Sequence, residues 1–476
     1  MLGSRSTLVM MRIALWAIAY LAWQGHAYVQ TEHVFPDQLV DHTAIGGGGA
    51  RFLQRYFRID QFWSGPDGPV ILQLCGEYTC AGVTDGRQFP SALAERYGAL
   101  VLVLEHRYFG KSSPFSVLSP RNLTYLTTFQ ALSDIACFTD WYQRVHIGRA
   151  NANKWITIGG SYPGALAAWY RLKYPHLTAG ALASSAVVAP FAEFPEFDEQ
   201  VASSAGPACT HALQDITAMV EGALQEGGRL ADEMKALFSC SQLSDADFLY
   251  LIADAMAEAI QYGHRLALCD PIVQAESRDD RLAAFVEFVQ GTFYASMSNS
   301  PGDYDSDTMA SHRWVPDSSG RQWWWMKCNE VGWFQIAPGT NSIRSKRVNM
   351  EWHRDRCEKL FGDVLAFPPP CHRASIEYSG FDMSVSNVVF TNGVEDPWQW
   401  AGASAFSSSA HLRDSSVLLI NCSQCGHCVD LHTPSPDDAP ALTTARSTII
   451  AHIDRWLIGS ALQVDLGSSA VPKAIL

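Results

Sequence analysis

The chain is short of positive charge. Its 476 residues carry 34 Lys and Arg against 48 Asp and Glu, a formal net charge of −14. That sign repels a phosphate backbone and argues against nucleic acid as a partner. Charged residues of both signs make up only 17% of the chain and apolar ones 47%. Soluble domains average about 25% charged, so the composition also argues against long disordered stretches. No segment approaches the ~20 apolar residues that a membrane-spanning helix needs, and no stable membrane insertion is expected. There is no internal repeat, and the one low-complexity patch is Gly46 to Gly49.

What the chain does have begins with Arg5 and Arg12 without any acid, an apolar run from Ile13 to Trp23, and small residues at Gly25 and Ala27. This reads as a secretory leader over residues 1–27, with a secreted or lysosomal (vacuolar) destination. Its loss removes two arginines and no acid, taking the charge from −14 to −16. In an exported chain the 12 cysteines, an even number, are most simply disulfides, although their connectivity does not follow from sequence. Asn122 in NLT and Asn421 in NCS are glycan acceptor sequons. The length calls for one large domain plus a sizeable insertion. Oligomeric state is not set by the sequence, and a homodimer stays open.

Val70 to Leu74 and Ala99 to Leu104 are apolar β runs separated by a helical stretch from Gln88 to Tyr97. Helix over Phe129 to Val145, strand over Trp155 to Ile158, helix over Ala165 to Tyr174 and strand over Ala179 to Val188 follow. Such alternation predicts an α/β fold with a parallel sheet covered on both faces. From about Ser203 to Val289 the pattern is mostly helical, and Ser296 to Asp307 reads as an exposed loop. The sheet resumes at Asn387 to Thr391 and Val417 to Ile420, and a helix from Ala439 to Ile458 closes it. The expected division is a first sheet part over 28–190, a helical insertion over 191–380 and a second sheet part over 381–476.

The segment from Trp155 to Pro175 reads as a buried strand breaking into a helix, with Ser161 at the corner. Gly159 and Gly160 permit a tight reversal, and Pro163 suits a first helical turn. Such an elbow lifts a serine oxygen above the sheet, and the helix N-terminus favours negative charge there. A serine is a weak nucleophile and needs a histidine base held in one tautomer by a carboxylate. VVFTNGVEDPW places Asp396 after one late strand, and LLINCSQCGHCVDL places His427 after the next. The order Ser, acid, His is that of α/β-hydrolases. Cys422, Cys425 and Cys428 around His427 offer a rival zinc reading, which oxidation in an exported protein disfavours. His106 and Arg107 read as structural, and Trp323 to Trp325 as core.

Several motifs in order carry a resemblance: FPDQLVDH with FLQRYF, LEHRYFG, GGSYPGALAAW, TNGVEDPW and GHCVDL. Together they resemble the S28 family of serine peptidases. The resemblance implies an α/β-hydrolase fold with a large, mainly helical inserted cap, no cofactor or metal, and peptides as partners. It implies Ser161 as nucleophile, Asp396 rather than Glu395 as orienting acid, and His427 as base. It also implies an oxyanion hole from the backbone of Tyr162 and of Gly76 or Glu77. Trp398 and Trp333 would wall the substrate proline, and Ala165 would widen the pocket beside the nucleophile. Glu77 and Glu330 are the carboxylates available for a free substrate amine, and Cys328 should bridge to Cys357. Cys209 with Cys269 is a further candidate pair. The implied activity is an exopeptidase cleaving short peptides next to proline, first as a Pro-X carboxypeptidase and second as a dipeptidyl peptidase. An esterase or lipase, or an inactive binding fold, are the alternatives of another class. The chain departs from a strict GxSxG elbow at Pro163, which leaves the closeness of helix and strand open.

Overall fold

The computed structural model describes residues 28–44, 49–148, 153–340 and 342–458. The leader expected over 1–27 lies outside them. In chain order the strands are β1 (Thr31–Leu39), β2 (Arg51–Ile59), β3 (Val70–Leu74), β4 (Leu100–Leu104), β5 (Trp155–Gly160), β6 (Gly180–Ser184), β7 (Phe191–Phe194), β8 (Gly332–Gln335), β9 (Ser384–Ser386), β10 (Val388–Gly393), β11 (His411–Arg413) and β12 (Ser416–Ile420). Eight of them form one sheet in the order β1-β2-β4-β3-β5-β6-β10-β12.

From β4 to β12 every neighbouring pair in this sheet is parallel. The run LVLVL of β4 is buried along its whole length, as a strand covered on both faces must be. Leu100, Leu102 and Leu104 face one apolar cluster with Phe138 of helix Thr128–Tyr142 and Trp169 of helix Tyr162–Lys173. Val101 and Val103 face the other, with Leu93 of helix Phe89–Tyr97 and Ile449 and Trp456 of helix Pro440–Ile458. Each such side chain contributes about 1.5–3 kcal/mol by its burial.

The sheet is mixed rather than purely parallel, because β1 and β2 form an antiparallel pair and β2 runs antiparallel to β4. Pro36 lies where the β1 register shifts, between Phe35 and Gln38, and an edge strand tolerates the missing donor. Gln38 and Gln54 are buried here, joined to each other at 2.7 Å, and Gln54 donates to the carbonyl of Glu105. Buried polar residues of this kind hide the strand pattern from sequence reading.

Between β6 and β9 the chain is mainly helical, with the parallel pair β7 and β8 added. Phe248, Leu251 and Ile260 of helix Asp245–Gln261 belong to the same apolar cluster as the sheet face, so insertion and sheet share one core. The stretch expected as an exposed loop over Ser296 to Asp307 is largely irregular and half exposed, but is pinned at two points. Tyr304 and Ser306 are buried there, and Ser306 Oγ donates to Asp247 Oδ1 at 2.8 Å. Cys328 pairs with Cys357 and Cys209 with Cys269, as expected; Cys75 with Cys80 and Cys422 with Cys425 complete the disulfides. Cys137, Cys240, Cys371 and Cys428 stay free, three of them buried, so the even count does not translate into full pairing. Among the described residues no helix is long and apolar enough to cross a membrane. This topology, with its helical insert, is an α/β-hydrolase fold.

Candidate active site

Ser161 occupies the turn between β5 and helix Tyr162–Lys173 at φ 66° and ψ −132°. A non-glycine residue held in such a conformation costs about 1–3 kcal/mol and persists only where its surroundings fix it. The Ser161 N–H donates to the Ser184 carbonyl at 2.9 Å. A Cβ on Gly159 would lie 2.0 Å from the Pro163 carbonyl oxygen, and one on Gly164 would lie 2.6 Å from that of Ser184. Helix and strand therefore touch backbone to backbone, and Gly164 supplies the close approach that Pro163 cannot. Tyr162 begins the helix, where its N–H has no intrahelical acceptor. Gly76 abuts Pro163, with an added Cβ at 2.5 Å from its ring, which brings the Cys75 to Glu77 turn against the first turn of the helix.

Asp396 follows β10 and caps the turn Pro397–Ala401, its Oδ1 accepting from Trp398 N at 2.9 Å. Asn392 holds the other oxygen at 3.3 Å. His427 Nδ1 lies 2.9 Å and 3.0 Å from the two carboxylate oxygens, both groups being buried. An Nδ1–H donated to the carboxylate leaves Nε2 as the free base. Burial works to lower the His427 pKa, but the Asp396 carboxylate and the Cys428 sulfur outweigh it and raise it. Cys428, next in the chain, packs its sulfur on Gly160, where an added Cβ would come within 2.7 Å of it. That contact seats the histidine loop beside the serine elbow. Asp430 ties the same loop down from behind, accepting from Ser184 Oγ at 2.5 Å.

In front of Ser161 opens a recess of about 240 Å3. Trp333 and Trp398 meet in it edge to face, ring centroids 6.3 Å apart. Their indole N–H groups donate to Ala189 O and Gln261 Oε1. Its far wall is helix Asp245–Gln261, which presents Asp254 and Glu258 on successive turns. Tyr304 OH donates to Asp254 and Asn299 Nδ2 to Glu258. Burial and the Asp254 charge push Glu258 up to about 8, and burial raises Asp254 as well. Lys327 lines the same recess, its Nζ 3.2 Å from Gln335 Oε1, and burial lowers it to about 7.

The family model for serine carboxypeptidase S28 matches residues 38–449. The chain belongs to the S28 peptidases. A probable serine protease, EDA2, of Arabidopsis thaliana is 36% identical over 462 residues, covering 93% of this chain and 92% of that one. The human thymus-specific serine protease is 30% identical, over 88% of this chain and 86% of its own. Lysosomal Pro-X carboxypeptidase of Bos taurus is 26% identical, over 88% and 87%. The S28 chain is thus a serine-type peptidase, a hydrolase.

Of the residues singled out in this S28 sequence, Ser161, Tyr162, Glu77, Trp333 and Trp398 line the recess. Asp396 and His427 stand at its edge, the His427 ring 6.4 Å from that of Trp398. Three expectations are corrected. Ala165 is fully buried in the core and is not among the residues that line the recess, so it does not widen it. Glu330 lines a separate cavity next to helix Thr128–Tyr142, where its Oε2 accepts from Thr128 N at 2.9 Å. Trp323 and Trp324 line the recess and only Trp325 is purely core. His106 and Arg107 are structural: Arg107 holds both oxygens of Asp134 at 2.6 Å, and burial pushes His106 down to about 4. Asn421 is exposed, while the Asn122 amide is engaged with the Val117 carbonyl. Cys422 and Cys425 bond to each other, which removes two thiolates from the zinc reading. Sequence reading missed Asp254, Glu258 and Lys327; the only local signal was the four-residue spacing of the two acids on a helix.

Proposed function

We propose that this protein is a serine exopeptidase that cleaves short peptides beside proline through an acyl-enzyme on Ser161. The observation that carries it is the grip of Asp396 on His427 Nδ1 next to the Ser161 elbow, in a chain of peptidase family. His427 Nε2 takes the Ser161 proton as Oγ attacks the scissile carbonyl, and returns it to the departing amine. A water then attacks the ester by the same route. The oxyanion is met by the Tyr162 N–H and one from Gly76 or Glu77, each donor contributing about 3 kcal/mol. Trp333 and Trp398 form the wall for the proline ring, and the insertion over 191–380 roofs the cleft so that only chain ends enter. The disulfides fit a secreted or lysosomal route.

For the end recognised, the recess favours the amino terminus. Among the described residues no Lys, Arg or His makes an ion pair with Asp254 or Glu258, although the Arg344 and Lys327 charges act on Asp254 from further off, and a substrate ammonium is a charge that would hold both acids ionised. Dipeptidyl release therefore moves ahead of the carboxypeptidase reading suggested by resemblance. Lys327 supports that second reading, since its ammonium could pair with a terminal carboxylate. Turnover of a free-amine Lys-Pro reporter but not of an N-blocked peptide ending in Pro-Phe, tested from pH 4 to 8, is the expected result. The reverse selects the carboxypeptidase, and turnover of neither refutes both.

A further inference from the structure

The inserted helix Asp245–Gln261 does more than wall the recess. At its C-terminal end the Gln261 carbonyl accepts from the backbone N–H of His427 at 2.6 Å. Its side-chain oxygen accepts from the indole of Trp398 at 3.0 Å, and the backbone N–H of Trp398 is bonded to Asp396. The approach is so close that a Cβ on Gly426 would stand 2.1 Å from the Gln261 carbonyl oxygen. The ring of Tyr262 meets that of His427 edge-on, centroids 6.0 Å apart. Three residues further on, Arg265 makes a two-pronged bond to Glu395, 2.9 Å and 3.1 Å, and reaches Ser423 Oγ at 3.1 Å. Glu395 in turn accepts from the N–H of Gln424 at 2.9 Å.

Arg265 therefore links two separate loops. Glu395 precedes Asp396 in the acid loop, and Ser423 and Gln424 belong to the histidine loop. We infer that Gln261 and Arg265, both supplied by the insertion, are positioning residues that set His427 and Asp396 in register for attack by Ser161. The inference rests on the roles proposed above for those three residues. Asp254, Glu258 and Gln261 are spaced by four and three residues, so they share one helix face. The surface that meets the substrate and the carbonyl that holds the histidine are thus parts of one rigid rod. The insertion is needed for the chemistry itself, and a substrate too small to reach Asp254 and Glu258 must feel its loss.

The test uses p-nitrophenyl acetate, which does not extend to Asp254, together with the rate of fluorophosphonate labelling of the full-length enzyme. In Arg265→Ala, kcat on the ester and the labelling rate should fall at least tenfold with KM within twofold. Arg265→Lys should recover part of the loss, and Arg265→Ala combined with Glu395→Gln should be no worse than Arg265→Ala alone, because both break one link. Gln261→Met, which keeps the helix and removes the acceptor of Trp398, gives a second readout if Arg265→Ala folds poorly. Its kcat should also drop. Arg229→Ala, at an exposed pair with Glu233, is the control expected to match wild type. A wild-type enzyme labelled at Ser161, with both Arg265→Ala and Gln261→Met reacting at its rate, overturns this inference alone. A wild type that is not labelled overturns the proposed function and this inference with it.

Discussion

The sulfur of Cys428 sits on Gly160, one residue before the elbow serine, and belongs to the residue that follows His427. It is a free thiol in a buried site. Burial works to raise its pKa, and the neighbouring His427 and Arg87 charges more than offset this and lower it. Imidazolium and thiolate stabilise each other, so the thiol helps to hold His427 protonated. A general base works only when neutral, and kcat/KM must rise with pH through the His427 pKa. Cys428→Ala takes away one support of the charged ring, so the raised His427 pKa should fall. The rising limb of the pH profile should move toward acid. A limb that stays in place, or moves toward alkali, would show that the thiol does not act on the base.

The serine and the carboxylate separate by magnitude. Ser161→Ala should abolish fluorophosphonate labelling and lower kcat by about a million-fold, the scale seen when a triad nucleophile is removed elsewhere. Asp396→Asn should leave the fold intact and lower kcat about ten thousand-fold, because an amide favours the wrong imidazole tautomer. Equal labelling rates for wild type and Asp396→Asn would remove Asp396 from the mechanism.

Gly164 gives a prediction about stability. Its missing side chain lets helix Tyr162–Lys173 press on the Ser184 carbonyl, and backbone cannot give way as a flexible side chain can. Gly164→Ala should cost about 1–3 kcal/mol, the usual range for overpacking, read as a lower midpoint in urea unfolding. Because the same contact fixes the elbow, labelling of Ser161 should slow in the folded variant. An unchanged midpoint would mean that the helix can shift without loss.

The features legible in the sequence are those written locally. A strand, two glycines, a serine and a proline describe an elbow within ten residues, and Asp396 and His427 each follow a recognisable strand. The β1–β2 pair was illegible because its inward residues include Gln54 and Arg55, whose partner Glu105 lies some fifty positions away. Ala165 was misplaced because helix phase decides which side of the elbow helix faces the core. Glu330 was misplaced because its partner, Thr128, lies on a distant helix. Two acids four residues apart are ordinary on a solvated helix, and only the fold shows that Asp254 and Glu258 face Ser161 across a recess.

On the proposed reading, those two acids decide which chain end is recognised. With Glu258 pushed up to about 8 by burial and the Asp254 charge, that carboxyl is mostly protonated at neutral pH. An ammonium docking there restores its charge, so binding of a free-amine dipeptide at pH 7 should release protons to the buffer. Calorimetry in two buffers of different ionisation enthalpy measures the number released. Glu258→Gln and Asp254→Asn keep the shape and remove the charge. Since a hydrogen bond to a charged group contributes about 1.5–3 kcal/mol, KM for the Lys-Pro reporter should rise roughly ten- to a hundredfold. Hydrolysis of p-nitrophenyl acetate should change little, because the ester does not reach the helix face. If instead the reporter is unaffected and Lys327→Met raises KM for the blocked Pro-Phe peptide, the cation is the anchor. The recess then reads a carboxylate, and Asp254 and Glu258 serve only to balance Lys327.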